Sequence, residues 1–113
     1  MNSQDLIFAI KTNNLEKLLF NLDYIVEECN SLNLDFTSEE ECYQYLASLG
    51  LVSFESVDWV CNSDEMYCVI HFKSDNIYLK IIGEYDSYGA NNHWYNKQIE
   101  QVFPKQITKT IYE

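Results

Sequence analysis

LEKLLFNLDYIVEECNSL, residues 15–32, sets its apolar residues at helical spacing: Leu15, Leu18, Leu19, Leu22, Ile25, Val26, Cys29 and Leu32. An apolar face repeated at a period near 3.6 residues specifies an amphipathic helix. The stretch therefore predicts one continuous helix over 15–32, with Glu16, Asp23, Glu27 and Asn30 turned to solvent. Upstream, Ser3 reads as the cap of a short helix over 4–12, where Leu6, Ile7 and Ile10 share a face. Asn13-Asn14 breaks that helix and can cap the next.

Downstream, Asn33 to Phe36 reads as a turn. Thr37-Ser38-Glu39-Glu40-Glu41 then holds two overlapping capping boxes, Thr37 with Glu40 and Ser38 with Glu41. Cys42, Tyr45, Leu46 and Leu49 supply the inward face of the helix that follows, and Gly50 its stop. After Gly50 the period shortens to two. Val57, Trp59 and Cys61 alternate with Ser56, Asp58 and Val60, and 62–65 reads as a turn. Met66 to Lys73 is a second strand, Ser74-Asp75-Asn76 a tight turn, and Ile77 to Ile82 a third strand, the short connections making neighbours antiparallel. Residues 83–103, polar and aromatic around Gly89-Ala90-Asn91-Asn92, read as a long loop closed by Pro104. Gln106 to Tyr112 alternates again and predicts a last strand. The expected fold is a single α+β domain over 1–113. Residues 1–50 are helical and pack on a three- to four-stranded antiparallel sheet from 51–113.

The 113 residues suit one domain, and 47% hydrophobic with 15% aromatic content is enough to fill a core. No apolar run approaches the roughly 18 residues a membrane span needs. Met1-Asn2-Ser3-Gln4-Asp5 lacks the positive segment of a secretion signal, so the expectation is a cytoplasmic protein with no membrane partner. Eighteen acids against seven lysines give a formal charge of −11, and no arginine is present. That balance argues against direct nucleic-acid binding. The charge is also lopsided. Residues 1–65 carry thirteen acids against Lys11 and Lys17, whereas 66–113 carry five acids and five lysines. A one-signed surface steers an oppositely charged one, so a basic partner is expected.

Cys29, Cys42, Cys61 and Cys68 form no close pair of the kind zinc requires, and with His71 and His93 they form no local nucleophile–base pattern. No metal, no cofactor and no catalysis are expected. Glu39-Glu40-Glu41 could in principle serve as an acid–base pair, but consecutive helical residues point around the axis and do not converge. The candidate contact acids are Glu27, Glu28, Glu39, Glu40, Glu41, Asp64 and Glu65. Tyr88 and Trp94, grouped in the long loop with Tyr85 and Tyr95, are candidate anchors, because such rings bury much area at little entropic cost.

Ile82-Gly83-Glu84-Tyr85-Asp86-Ser87-Tyr88-Gly89, followed by Val102-Phe103-Pro104-Lys105 and Thr108-Lys109-Thr110-Ile111-Tyr112-Glu113, resembles the end of small proteins encoded by bacteriophages. Proteins of that size class include counter-defence proteins such as anti-CRISPRs. The likeness covers residues 78–113, is one of strand, loop and strand, and transfers no site residue. Eleven asparagines, ten isoleucines and no arginine also fit an AT-rich coding sequence. What the resemblance implies is a phage-type inhibitor acting in the host cytoplasm. With the acidity, its expected partner is a basic immune nuclease or nucleoprotein defence complex, inhibited either by an acidic surface that occupies the nucleic-acid channel or by a mixed hydrophobic and polar contact that blocks a conformational step of activation. An immunity or antitoxin protein neutralising a basic nuclease toxin is the alternative, and a small enzyme a third reading. A homodimer is compatible with either of the first two.

Overall fold

The computed structural model describes residues 1–62, 65–84 and 93–104, the stretch 93–97 as backbone only. Four α-helices come first: α1 (Ser3–Thr12), α2 (Glu16–Phe20), α3 (Ile25–Ser31) and α4 (Glu39–Ser48), with a 3-10 turn over Leu22–Tyr24. Four strands follow: β1 (Phe54–Cys61), β2 (Met66–Phe72), β3 (Ile77–Glu84) and β4 (His93–Val102). They form one antiparallel sheet in the order β1-β2-β3-β4. The α+β architecture expected from the change of period is the one observed.

The sheet buries one face. Met66, Cys68, Ile70 and Phe72 on β2 and Ile77, Leu79 and Ile81 on β3 alternate with half-exposed neighbours. They join Leu6, Ile10, Leu15, Leu18, Leu19, Ile25, Cys42 and Leu46 from the helices in a single core. On the other face, cross-strand pairs cover the pleat: His71 stacks on Tyr78 at 4.0 Å, and the Lys80 ammonium sits 4.2 Å from the Tyr67 ring centre.

Three helices end with the same device. The Leu15 amide reaches back to the Ile10 carbonyl at 3.0 Å, Leu34 to Cys29 at 3.2 Å, and Leu51 to Leu46 at 3.0 Å. Each bond closes around a residue of positive φ: Asn14 (55°), Asn33 (68°) and Gly50 (95°). Only glycine enters that region freely, and asparagine tolerates it, so these residues terminate helices where others would carry them on. At the start of α4 the box is Ser38 with Glu41. The Ser38 hydroxyl accepts from the Glu41 amide at 3.3 Å, and the Glu41 carboxylate accepts from the Thr37 and Ser38 amides at 2.8 and 3.2 Å. α1 is capped by Asn2 rather than Ser3: Asn2 Oδ1 accepts from the Asp5 amide at 2.8 Å.

The predicted continuous helix over 15–32 is not formed. The chain makes α2, the 3-10 turn and α3 in its place. Locally, the Asn21 side chain donates back to the Lys17 carbonyl at 3.1 Å, a competing bond that weakens helix propagation. The tertiary cause is clearer still. A continuous helix would pair the Phe20 carbonyl with the Tyr24 amide; that amide instead bonds Asn21 O at 2.9 Å, and the Trp59 indole donates to Phe20 O at 2.9 Å. The Cys68 thiol approaches the Leu19 carbonyl at 3.8 Å. Side chains from the sheet thus satisfy carbonyls that the end of α2 leaves open. Asn14 makes no side-chain cap, since Leu15 occupies that position, and Glu16 is buried at 1% exposure, against the expectation of solvent.

The expected long loop over 83–103 is also corrected. β4 pairs with β3 through Leu79–Gln101, Lys80–Glu100 and Ile81–Ile99. An edge strand needs little apolar content, and main-chain pairing with β3 overrides the polar composition of Asn96 to Gln101. The expected strand over 106–112 lies outside the described residues. In β1 the alternation is interrupted by a bulge between Ser56 and Asp58, which leaves Val57 47% exposed.

Candidate protein-binding surface

The break between α2 and α3 opens a groove. Leu19, Phe20, Asn21, Leu22, Asp23 and Tyr24 line one side and Ser56 and Trp59 of β1 the other, enclosing about 510 Å³. That volume falls in the range of ligand pockets. Trp59 occupies the helix-facing side of the edge strand, opposite Cys68, and its ring lies 4.9 Å from that of Phe20. The indole bond to Phe20 O fixes the ring's orientation while 52% of the residue stays exposed. Tyr24, which also lines the groove, is 62% exposed. Two large aromatic surfaces therefore face solvent beside the exposed carboxylate of Asp23.

The aromatic strip continues past the groove. Tyr43 on α4 packs 5.8 Å from Phe54 at the start of β1. Partial burial pushes the Tyr43 hydroxyl pKa up, and the charges of Glu39, Cys42 and Asp23 push it further. Glu39 and Asp23, remote in sequence, thus act on one phenol. Sequence reasoning missed this convergence because it depends on the interrupted helix; the available signal was a Trp and a Tyr at Trp59 and Tyr24, in segments read as ordinary strand and helix.

The sequence-predicted acids divide by what their carboxylates do. Glu39 and Glu40 stand exposed in the first turn of α4, and Glu27 in that of α3. None of these three, nor Asp23, is in a salt bridge among the described residues, whereas Glu55 pairs with Lys73 at 3.4 Å and Asp75 with the N-terminal ammonium at 3.3 Å. Glu28 is half-buried; desolvation raises its pKa, Lys17 opposes that and Glu27 adds to it. Glu41 belongs to the cap. Its hydrogen bonds from Thr37, then Ser38, hold its pKa below the ordinary value, so it is a structural carboxylate and not a free contact. Glu65 is exposed at the foot of β2, exchanging bonds with Asn62. Asp64 and Tyr88 lie outside the described residues. Trp94 stands on β4, not in a loop, and only its backbone is described.

Burial holds down the chemistry of two of the cysteines. The Cys68 thiol is pushed up to about 12 by desolvation, and Cys29 likewise to about 12 by burial and then by its neighbour Cys42. Cys68 points into the core, whereas His71, an odd number of residues along β2, points to the opposite face and bonds Asn76 at 3.0 Å. Among the described residues no group of three or more His, Cys, Asp or Glu could hold a metal ion, and no helix is long and apolar enough to cross a membrane. No protein-family model, curated protein or solved structure matches the chain.

Proposed function

We propose that this protein is a phage-type inhibitor that occupies the basic, nucleic-acid-binding surface of a bacterial immune nuclease or nucleic-acid-guided complex. The observation that carries the reading is the state of the acids on the helical layer. Asp23, Glu27, Glu39 and Glu40 are exposed and in no salt bridge among the described residues, while Lys73, just after β2, pairs with Glu55, and Lys80 of β3 sits over the Tyr67 ring. Carboxylates on a rigid scaffold complement a channel lined with lysine and arginine, which exists to neutralise phosphates. The resemblance of residues 78–113 to phage proteins favours a defence complex over a nuclease toxin as the target.

The test is capture of partners on the immobilised protein from a nuclease-treated bacterial lysate, identified by mass spectrometry and challenged with short duplex DNA. The expected partner is a basic nucleic-acid-binding protein released by the DNA. A partner that is acidic, or that DNA fails to displace, overturns the reading.

A further inference from the structure

The groove between α2 and β1 joins one acid of the helical layer to two exposed aromatic rings. Its aromatic wall is preorganised, because the Trp59 indole is bonded to Phe20 O at 2.9 Å while half of the residue remains exposed. A second ring, Tyr24, also lines the groove at 62% exposure. Asp23 supplies an exposed carboxylate at the rim, and Glu39 lies close enough to act with it on Tyr43. Rings that present their faces beside a carboxylate attract cations, tryptophan most strongly, and the apolar floor of Leu22 and Phe20 suits an aliphatic stem.

We propose that this groove is an anchor site for an arginine or lysine side chain presented by a protein partner, its stem on Leu22 and its charged head between Trp59, Tyr24 and Asp23. The inference rests on the reading of a basic partner and names the contact through which that partner is held. Charge decides the occupant. A second copy seated on the same groove would bring its own Asp23 against the first, and like charges at close range oppose that contact. Asp58 pairs in register with Val69 on the other face of the sheet, where it accepts from the Trp59 amide at 2.9 Å and the Tyr67 hydroxyl at 3.3 Å, so Asp23 is the acid of the groove that meets the cation.

The experiment is a heteronuclear NMR titration of the intact chain with a capped Gly-Arg-Arg-Gly peptide and with its citrulline counterpart, which has the same shape and no charge. The expected result is a saturable shift of the Trp59 indole and the Asp23 and Tyr24 amides by the arginine peptide. The citrulline peptide should bind at least ten-fold more weakly. Asp23→Asn and Tyr24→Ala, both at exposed positions, should each weaken binding several-fold, and Glu40→Gln should not. Equal binding of both peptides, an unmoved Trp59 indole, or an Asp23→Asn variant that binds as well as the parent overturns the inference. So does sedimentation showing a dimer whose dissociation exposes Trp59. If the peptide fails while reversal of Glu39 and Glu40 still abolishes capture of a basic partner, the groove inference falls and the proposed function stands. If the peptide binds as expected and no basic partner is captured, the proposed function falls alone.

Discussion

Replacing Trp59 with phenylalanine isolates the bond that holds the α2–α3 break. The substitution keeps a ring against Phe20, 4.9 Å away in the parent, and removes the indole donor that meets Phe20 O at 2.9 Å. A net hydrogen bond contributes about 0.5–1.5 kcal/mol, and the carbonyl borders an open groove where water can replace the donor, so a loss of about 1 kcal/mol is expected. For a domain of this size that lowers Tm by about 4 °C. Trp59→Ala removes more. It loses the ring pair, about 1 kcal/mol, and the burial of half a tryptophan, about 100 Å² at roughly 25 cal/mol/Å², or about 2.5 kcal/mol. With the lost hydrogen bond the sum of about 4.5 kcal/mol is a large share of the roughly 5–15 kcal/mol of an ordinary domain. Urea unfolding followed by far-ultraviolet circular dichroism reads both without relying on the altered fluorophore. A second arm adds Asn21→Ala, which removes the local bond to Lys17 O. With both gone, the Tyr24 amide should turn to Phe20 O and gain protection from hydrogen exchange. A Trp59→Phe variant as stable as the parent, with Tyr24 unchanged in the double variant, would refute the claim that the sheet interrupts the helix.

Gly50→Ala, at φ 95°, should cost about 1–2 kcal/mol in a thermal melt, because an L side chain is strained there and its Cβ would collide with the Met1 side chain. Glu28→Gln should stabilise the protein at neutral pH. The raised pKa means that the folded state holds the proton more tightly than the unfolded one, so the parent gains stability as pH falls through the folded pKa, and the variant's advantage should vanish below the ordinary glutamate range. Glu41→Ala should show the opposite profile. The cap's lowered pKa makes its contribution full above the ordinary glutamate value and lost as pH falls through the folded pKa, so parent and variant should converge in acid. Reversing Glu39 and Glu40 to Lys, with the cap residue Glu41 untouched, should slow association with a captured basic partner at least ten-fold at low salt while the domain stays folded, since first-turn acids each contribute only about 0.3–1 kcal/mol.

The α+β order, the ends of α1, α3 and α4, and the strands β2 and β3 were legible in the sequence, since each follows from short-range chemistry. Asn14, Asn33 and Gly50 can hold the left-handed backbone that stops a helix, Ser38 and Glu41 close a box within one turn, and alternation in 66–72 matches a half-buried pleat. The tertiary structure decided the rest. The apolar period of 15–32 is satisfied equally by one helix or by two joined through a turn, because both bury Leu18, Leu19, Ile25 and Cys29. What selects the second is a tryptophan thirty-nine residues away in sequence that takes the Phe20 carbonyl. β4 likewise owes its form to the open edge of β3 and not to its own polar residues. The groove exists only because the helix break was decided at long range, where a donor from one element completes the backbone of another and no local pattern records the exchange.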